Sequence, residues 1–217
     1  YDLTKTPLTE KLEEEGINIH YKDNISLVPV KFMDRDNTVV IYTPAVPDNM
    51  SEKVFFKEGN FTMLKRSEIL GELTDGKKAL CVAGTHGKTT TSTLLSHILN
   101  QRAEKVNAFL GGISKNYESN LIVSSSDHVV VEADEYDRSF LRLKPNMAIV
   151  TATDADHLDI YGTKEELLKT FAEFTSLIEE NGALVMKKGI EVVPNVKESV
   201  KVYTYSGTEK ADFYAEN

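Results

Sequence analysis

An α/β protein in two successive parts is what this sequence predicts, the second part being a parallel sheet of P-loop type. Three observations carry the prediction. Between residues 78 and 186, short β-branched apolar runs alternate with longer helical stretches, the pattern of strand–crossover–strand units in a parallel sheet. One apolar run passes directly into Gly84-Thr85-His86-Gly87-Lys88-Thr89-Thr90-Thr91, a glycine-rich turn that opens a helix. Thr74-Asp75-Gly76 reads as a turn separating this region from a smaller α/β stretch before it.

In the smaller stretch, Thr6-Pro7 reads as an N-cap followed by proline at the first helical position, opening a helix over Leu8 to Glu15 that Gly16 ends. Ile17 to His20 is a short strand candidate. Thr38 to Tyr42 is a stronger one, β-branched and closed by Pro44. A weaker helix is expected over Ser51 to Lys57, a strand over Phe61 to Leu64, and a short helix capped by Ser67 and running through Leu73. The domain boundary is placed there, giving 1–73 and 74–217. A parallel α/β unit normally opens with a strand and its glycine-rich turn. Neither precedes the first helix here, so N-terminal sequence is expected to be missing.

In the second part, Leu80 to Ala83 reads as a strand, followed by a helix over Lys88 to Leu99 with Leu94, Leu95, Ile98 and Leu99 on one face. Val129 to Val131 and Ala148 to Thr151 are further strands. Thr163 and Glu166 form a capping box for a helix reaching Glu180, Gly182 stops it, and Ala183 to Met186 returns as a strand. There is no internal repeat and no low-complexity tract.

The bulk numbers narrow the function class. With 217 residues, 41% hydrophobic and 27% charged, the chain has enough apolar material for real cores and is not a disordered segment. A net charge of −9 disfavours binding to nucleic acid or to an anionic membrane surface, both of which need a basic face. A polyanionic ligand must then be held by a local device. No run is long and apolar enough to span a bilayer, and the first residues do not read as a signal peptide. The single cysteine, Cys81, lies in the apolar run Ala79-Leu80-Cys81-Val82 and reads as a buried strand residue. A chain that cannot form an internal disulfide fits a reducing cytoplasm.

Three constellations carry chemistry. In the first, Gly84 and Gly87 let the backbone curl so that its N–H groups face phosphate oxygens, and the helix N-terminus adds partial positive charge. Lys88 is placed to neutralise phosphate, and the Thr89 hydroxyl to ligate Mg²⁺. The spacing departs from the usual P-loop: two residues separate the glycines, and Val82 stands where the first glycine normally does. A structural glycine turn capped by threonine is the plainer alternative. The second is Glu132-Ala133-Asp134-Glu135-Tyr136-Asp137, four acids in six residues at the end of an apolar strand. A solvated loop is the default for such a run. Glu132, however, sits at the strand end, where a carboxylate can hold a phosphate-bridging cation. The third is Asp154-Ala155-Asp156-His157-Leu158-Asp159, again just past a strand. His157 reads either as a loop histidine or as a cation ligand.

Taken together, G-T-H-G-K-T-T-T, E-A-D-E-Y-D-R-S-F-L and D-A-D-H-L-D-I-Y-G, in this order and spacing, resemble the Mur ligase family. The opening Tyr1-Asp2-Leu3 with Pro7-Leu8, the run Tyr42 to Pro47, and the closing Tyr203 to Ser206 and Ala211 to Ala215 extend the likeness over nearly the whole chain. The resemblance implies a Rossmann-like UDP-binding domain over 1–73, lacking its first strand. It also implies a truncated ATP-binding central domain over 74–217, and a C-terminal amino-acid-binding domain that is absent. It implies an ADP-forming acid–amino-acid ligase of peptidoglycan precursor synthesis in the cytoplasm, with ATP and Mg²⁺ as cofactors and UDP-N-acetylmuramate and L-alanine as partners. The muramyl carboxylate is phosphorylated to an acyl phosphate, which the amino acid's amine then attacks. Gly84, Thr85, His86, Gly87, Lys88, Thr89 and Thr90 would form the nucleotide loop. Thr89, Glu132 and His157 would hold metal, and Lys88, Glu132 and His157 would act in catalysis. For His86, substrate contact and loop stabilisation both stay open. For Gly111 and Gly112, backbone room near the muramyl group and a simple turn both stay open.

The chain ends inside the expected central domain, and it is expected not to complete a catalytic cycle alone. The nearest rival is the sister ligase that attaches a recycled tripeptide to the same UDP-sugar; Asp156-His157-Leu158-Asp159-Ile160-Tyr161-Gly162 fits the L-alanine branch better. A folate-type polyglutamate ligase would not need the first domain. A nucleotide-binding module without ligase activity is the reading from another class.

Overall fold

The computed structural model describes residues 1–103 and 105–216. The chain divides into two compact units, Tyr1–Ile69 and Leu70–Asn217.

The first unit opens with α1 (Pro7–Glu14), whose start is locked by Thr6 and Thr9, each side chain accepting from the other's backbone N–H. Three single-turn 3₁₀ segments lead to β1 (Val39–Tyr42). The helix α2 (Ser51–Glu58) and the strand β2 (Thr62–Lys65) follow, and β1 and β2 pair in parallel, Val39 opposite Thr62 through Tyr42 opposite Lys65. Asp23 caps α2 from a distance, its carboxylate accepting from the backbone N–H groups of Ser51 and Glu52. The expected strand over Ile17 to His20 does not form; the run has no regular secondary structure. A strand needs a continuous ladder, and among the described residues this run joins no sheet; its His20 carbonyl accepts from the Asp2 N–H at 3.1 Å.

The helix α3 (Arg66–Thr74) spans the division between the units. Its C-terminal half belongs to the second unit because Leu70 packs on that core. Gly71 there lies so close to the Arg142 carbonyl that a Cβ would sit 2.4 Å from the oxygen.

The second unit is one eight-stranded sheet with strand order β10-β9-β8-β7-β3-β6-β4-β5. In chain order the elements are β3 (Lys78–Ala83), α4 (Lys88–Asn100), β4 (Asn107–Ser114), β5 (Ser119–Ile122) and β6 (His128–Glu132). A 3₁₀ segment (Tyr136–Arg142), β7 (Met147–Val150), α5 (Leu158–Tyr161) and α6 (Lys164–Ser176) come next. The chain closes with β8 (Ala183–Lys187), β9 (Lys201–Ser206) and β10 (Phe213–Tyr214). Every pairing is parallel except β4 with β5.

β3 is central and buried on both faces, which is why it reads as an unbroken apolar run. Ala79, Cys81 and Ala83 join the larger core beneath α6, where Leu167, Phe171, Phe174 and Ile178 are fully buried. The Phe140 ring stacks on Phe174 there at 4.8 Å. On the other face Leu80 and Val130 meet Leu95 and Leu99 of α4. Leu94 and Ile98 point outward, 57% and 53% exposed. The expected single apolar face of α4 is therefore split, because Ser92 and Ser96 occupy the closest approach to the sheet and are fully buried. Their hydroxyls are satisfied inside the helix, Ser92 donating to the Thr89 carbonyl and Ser96 to the Ser92 carbonyl. α6 ends at Ser176 rather than at Glu180.

β3 has β6 on one side and β7 on the other; the connection leaving β3 runs past β6 to β4, whereas the connection leaving β6 runs back past β3 to β7. The carboxyl end of β3 is thus the topological switch point of the sheet, where open α/β sheets leave a crevice. No helix among the described residues is long and apolar enough to cross a membrane.

Candidate functional site

Three loops converge at that crevice: residues 84–87 after β3, 133–135 after β6, and 151–157 after β7. The sequence placed its three polar constellations on these loops.

The first loop depends on Gly84, whose φ is +136°, a value side-chain-bearing residues rarely adopt. A Cβ there would lie 2.2 Å from Thr151 Oγ1 and 2.8 Å from the Ala152 backbone nitrogen. The loop is pinned to the end of β7: Thr85 N–H donates to the Ala152 carbonyl at 3.0 Å, and Asp154 N–H donates to Thr85 Oγ1 at 3.1 Å. The Thr151 hydroxyl lies 3.1 Å from the Ala83 carbonyl and 2.5 Å from that of His86. Gly87, at φ +80°, starts α4 with no side-chain cap. The first-turn N–H groups of Lys88, Thr89 and Thr90 therefore face the crevice without a side-chain acceptor, an arrangement suited to phosphate oxygens. His86 projects outward, its Nε2 3.9 Å from an Asp154 carboxylate oxygen.

Thr89 and Glu132 meet directly, the Thr89 hydroxyl donating to Glu132 Oε1 at 2.9 Å. Glu132 Oε2 accepts from the Gly111 N–H at 2.7 Å and lies 3.4 Å from the Ser92 hydroxyl. A Cβ on Gly111 would sit 2.3 Å from Glu132 Oε1. Gly111 thus lies in β4 rather than in a turn, and its missing side chain is the space the Glu132 carboxylate occupies. A hydroxyl beside a carboxylate is a hard-oxygen donor set that suits Mg²⁺, which keeps several waters and needs few protein ligands.

The other predicted residues gather around an acid that the sequence marks only as one of four. Glu135 is fully buried, against the expectation for a solvated acidic loop. Lys88 Nζ lies 2.9 Å from its Oε1 and 2.8 Å from its Oε2, and donates also to the Gly84 carbonyl at 2.9 Å. Only the Oε1 contact has hydrogen-bond geometry, so Oε2 is a buried oxygen in ionic contact without a hydrogen bond. His157 Nε2 stands 3.6 Å from Glu135 Oε1 and 3.9 Å from an Asp156 oxygen. His157 has φ +50°, and its ring lies roughly perpendicular to that of Tyr136, the ring centres 5.4 Å apart. Tyr161 donates its hydroxyl to the Glu135 carbonyl. Burial, and then the Glu135 charge, push the Tyr161 phenol up to about 12.

The structure therefore sorts the predicted residues into two neighbouring sets, Thr89 with Glu132, and Lys88 with His157 about Glu135. Among the described residues, no three His, Cys, Asp or Glu side chains are arranged as a ready cation cage. Glu135, Thr151 and Ser92 were not singled out by the sequence for these roles. Thr151 ends a β-branched strand and Ser92 sits one turn past Thr89, and neither carries a local signal. For Glu135 the hint was its place in an acidic run that follows a buried strand.

Known proteins resemble this chain over most or all of its length. Residues 82–217 match the family model described as the Mur ligase middle domain. The chain is 56% identical over 218 aligned positions to the UDP-N-acetylmuramate–L-alanine ligase of Parabacteroides distasonis, covering 100% of this chain and 47% of that protein. It is 53% identical to the Porphyromonas gingivalis enzyme of the same name, covering 99% and 48%. The chain thus spans about half the length of the curated relatives it matches. Among solved structures, the UDP-N-acetylmuramate–alanine ligase of Thermotoga maritima is similar with a TM-score of 0.78 at 25% identity, over 98% of this chain and 47% of that one. A Neisseria ligase for UDP-N-acetylmuramate and L-alanyl-γ-D-glutamyl-meso-diaminopimelate shares the fold with a TM-score of 0.80 at 20% identity, over 93% and 67%.

Proposed function

The chain belongs to the Mur ligase family, and from that premise we propose that its protein is the cytoplasmic ligase joining L-alanine to UDP-N-acetylmuramate with ATP and Mg²⁺. The observation that carries this reading is the crevice at the end of β3, where an uncapped helix start, Lys88 and the Thr89–Glu132 pair face one space.

The chemistry asks for positioning and charge neutralisation. A carboxylate oxygen of the muramyl group bonds to the terminal phosphorus of ATP as the bond to ADP breaks. The amine of L-alanine then bonds to the acyl carbon, phosphate leaves with the bonding electrons, and the amine loses a proton. Both steps bring anions together, so fixed positive charge and oriented N–H groups lower the barrier more than any covalent help. In this reading, residues 84–90 wrap the phosphates with backbone N–H groups, and Lys88 neutralises the transferring group. Thr89 and Glu132 would hold the cation, which would supply charge compensation for the phosphates. His157 takes its place on the acyl-phosphate side. Gly84 and Gly111 permit the two close approaches on which the loop and the Glu132 carboxylate depend.

The test is phosphate release by the whole protein, given ATP, Mg²⁺, UDP-N-acetylmuramate and single amino acids. Release is expected to require both the UDP-sugar and L-alanine, and to fall by about 10²-fold or more in Lys88→Ala. Release with the tripeptide but not with alanine would move the assignment to the recycling ligase, whose fold is also shared. Nucleotide binding without release on any acceptor would leave a binding module.

A further inference from the structure

Among the described residues, Glu135 is the one fully buried carboxylate at the crevice, and it is shared by two groups that the chemistry needs elsewhere. A buried ion is costly unless paired. Here the partner is Lys88, whose side chain is itself only 14% exposed. Lys88 is held by Glu135 and by the Gly84 carbonyl, each at 2.9 Å. The same Oε1 that accepts from Lys88 lies 3.6 Å from His157 Nε2, and Oε2 accepts no hydrogen bond. The backbone around the carboxylate is tied down as well. The Glu135 carbonyl accepts from Tyr161 Oη and from the Arg138 N–H, and the Arg138 guanidinium lies over the Tyr161 ring at 5.6 Å. Asp137, Arg138 and His157 all have φ near +50°, a conformation that non-glycine residues keep only when their surroundings enforce it.

We propose that Glu135 is a positioning residue that holds Lys88 in a resting ion pair, competes with nucleotide phosphate for it, and passes phosphate binding on to His157. The proposal rests on the nucleotide-loop reading above. When phosphate engages Lys88, the carboxylate loses part of its counter-charge and turns to its remaining cationic or N–H partner, His157. The nucleotide loop and the loop after β7 are then coupled through one side chain. Lys88 and His157 are 69 positions apart in sequence, and no contact between them is needed. Because nucleotide must draw Lys88 away from the carboxylate, it binds more weakly with Glu135 than without it. The benefit is placement: Lys88 is not free to wander, and His157 responds only after the nucleotide has docked.

The test uses the whole protein, with Glu135→Gln, Lys88→Met and the double variant. Binding of a fluorescent ADP is titrated without Mg²⁺, and the ¹³Cε1 resonance of His157 is followed at one fixed pH. In Glu135→Gln, ADP is expected to bind about tenfold tighter because Lys88 is no longer held by a competing carboxylate, while turnover falls at least tenfold. The gain in affinity should vanish in the Lys88→Met background. The His157 resonance should move on ADP addition in the parent and stay still in both single variants. A merely structural Glu135 predicts the opposite, weaker ADP binding together with a lower melting temperature. Should Glu135→Gln fail to fold, Glu135→Asp retracts the charge by one methylene and should give the same direction with smaller size. ADP binding that is unchanged or weaker in the folded variant, or a His157 shift that persists without Glu135, overturns the proposal alone. Absence of nucleotide binding in the parent overturns it together with the functional reading.

Discussion

Cys81 and Tyr161 show how placement in the sheet rewrites the chemistry of single residues. The Cys81 thiol is fully buried in β3, and loss of solvent pushes it up from the ordinary 9.0 to about 12. The Tyr161 phenol is pushed from 10.0 to about 12, first by burial and then by the Glu135 charge. In both, the folded state keeps a proton that the unfolded chain gives up, so stability is fully present below the ordinary values and is lost as pH rises through the raised ones. Unfolding free energy, measured by guanidinium titration, is therefore expected to fall between pH 9 and 12. Cys81→Ala with Tyr161→Phe should flatten that fall, whatever the two changes cost at neutral pH. An equally steep fall in the double variant would mean that other groups set the alkaline limit. The same burial keeps Cys81 from acting as a nucleophile, since the thiolate is the reactive form. That much was legible from its apolar neighbours. The burial of Glu135 was not, because local sequence shows an acid among acids and says nothing of a lysine 47 positions earlier.

At the scale of elements, α4 separates what periodicity can and cannot say. The spacing of Leu94, Leu95, Ile98 and Leu99 establishes a helix with an apolar stripe wider than one contact can cover. Only packing decides that Leu95 and Leu99 face the sheet while Leu94 and Ile98 do not. Leu95→Ala is expected to cost about 2 kcal/mol, and Leu94→Ala less than about 0.5 kcal/mol, by chemical denaturation. Equal costs would show that the outer leucine is covered too. Strands β4 and β5 were not anticipated. Gly111 and Gly112 break the β pattern, and glycine inside a strand reads as a turn unless a close neighbour explains it. Here the neighbour is the Glu132 carboxylate, and the pairing with β5 carries a register irregularity between Phe109 and Ser114. The Ile17 to His20 run errs the other way, with strand composition and no adjoining strand.

Over the whole molecule, the two units differ in how much of their backbone is sealed. β3 is flanked on both sides and buried on both faces, and its neighbours β6 and β7 share the larger core. The first unit carries a two-stranded parallel pair, with Val39 and Ile41 each 55% exposed. Protection from hydrogen exchange follows burial and cooperative packing. The amides of β3, β6 and β7 are expected to exchange slowest in native-state hydrogen exchange, and those of β1 and β2 markedly faster. Comparable protection in both units would mean that the small sheet is stabilised beyond what two strands supply.

The sequence by itself determined the alternation of strand and helix, the glycine turn at the start of α4, and three polar motifs at strand ends. These are local properties, set by side-chain period, backbone freedom and turn chemistry, and they suffice to find the Mur ligase resemblance. Tertiary structure decided which strands are neighbours, and hence that three loops distant in sequence meet at one switch point. It also decided that Thr89 pairs with Glu132, that Gly111 leaves room for that carboxylate, and that Glu135 is buried between Lys88 and His157. Those outcomes depend on contacts between segments far apart in the chain, and burial and pairing energies exist only once those segments have met.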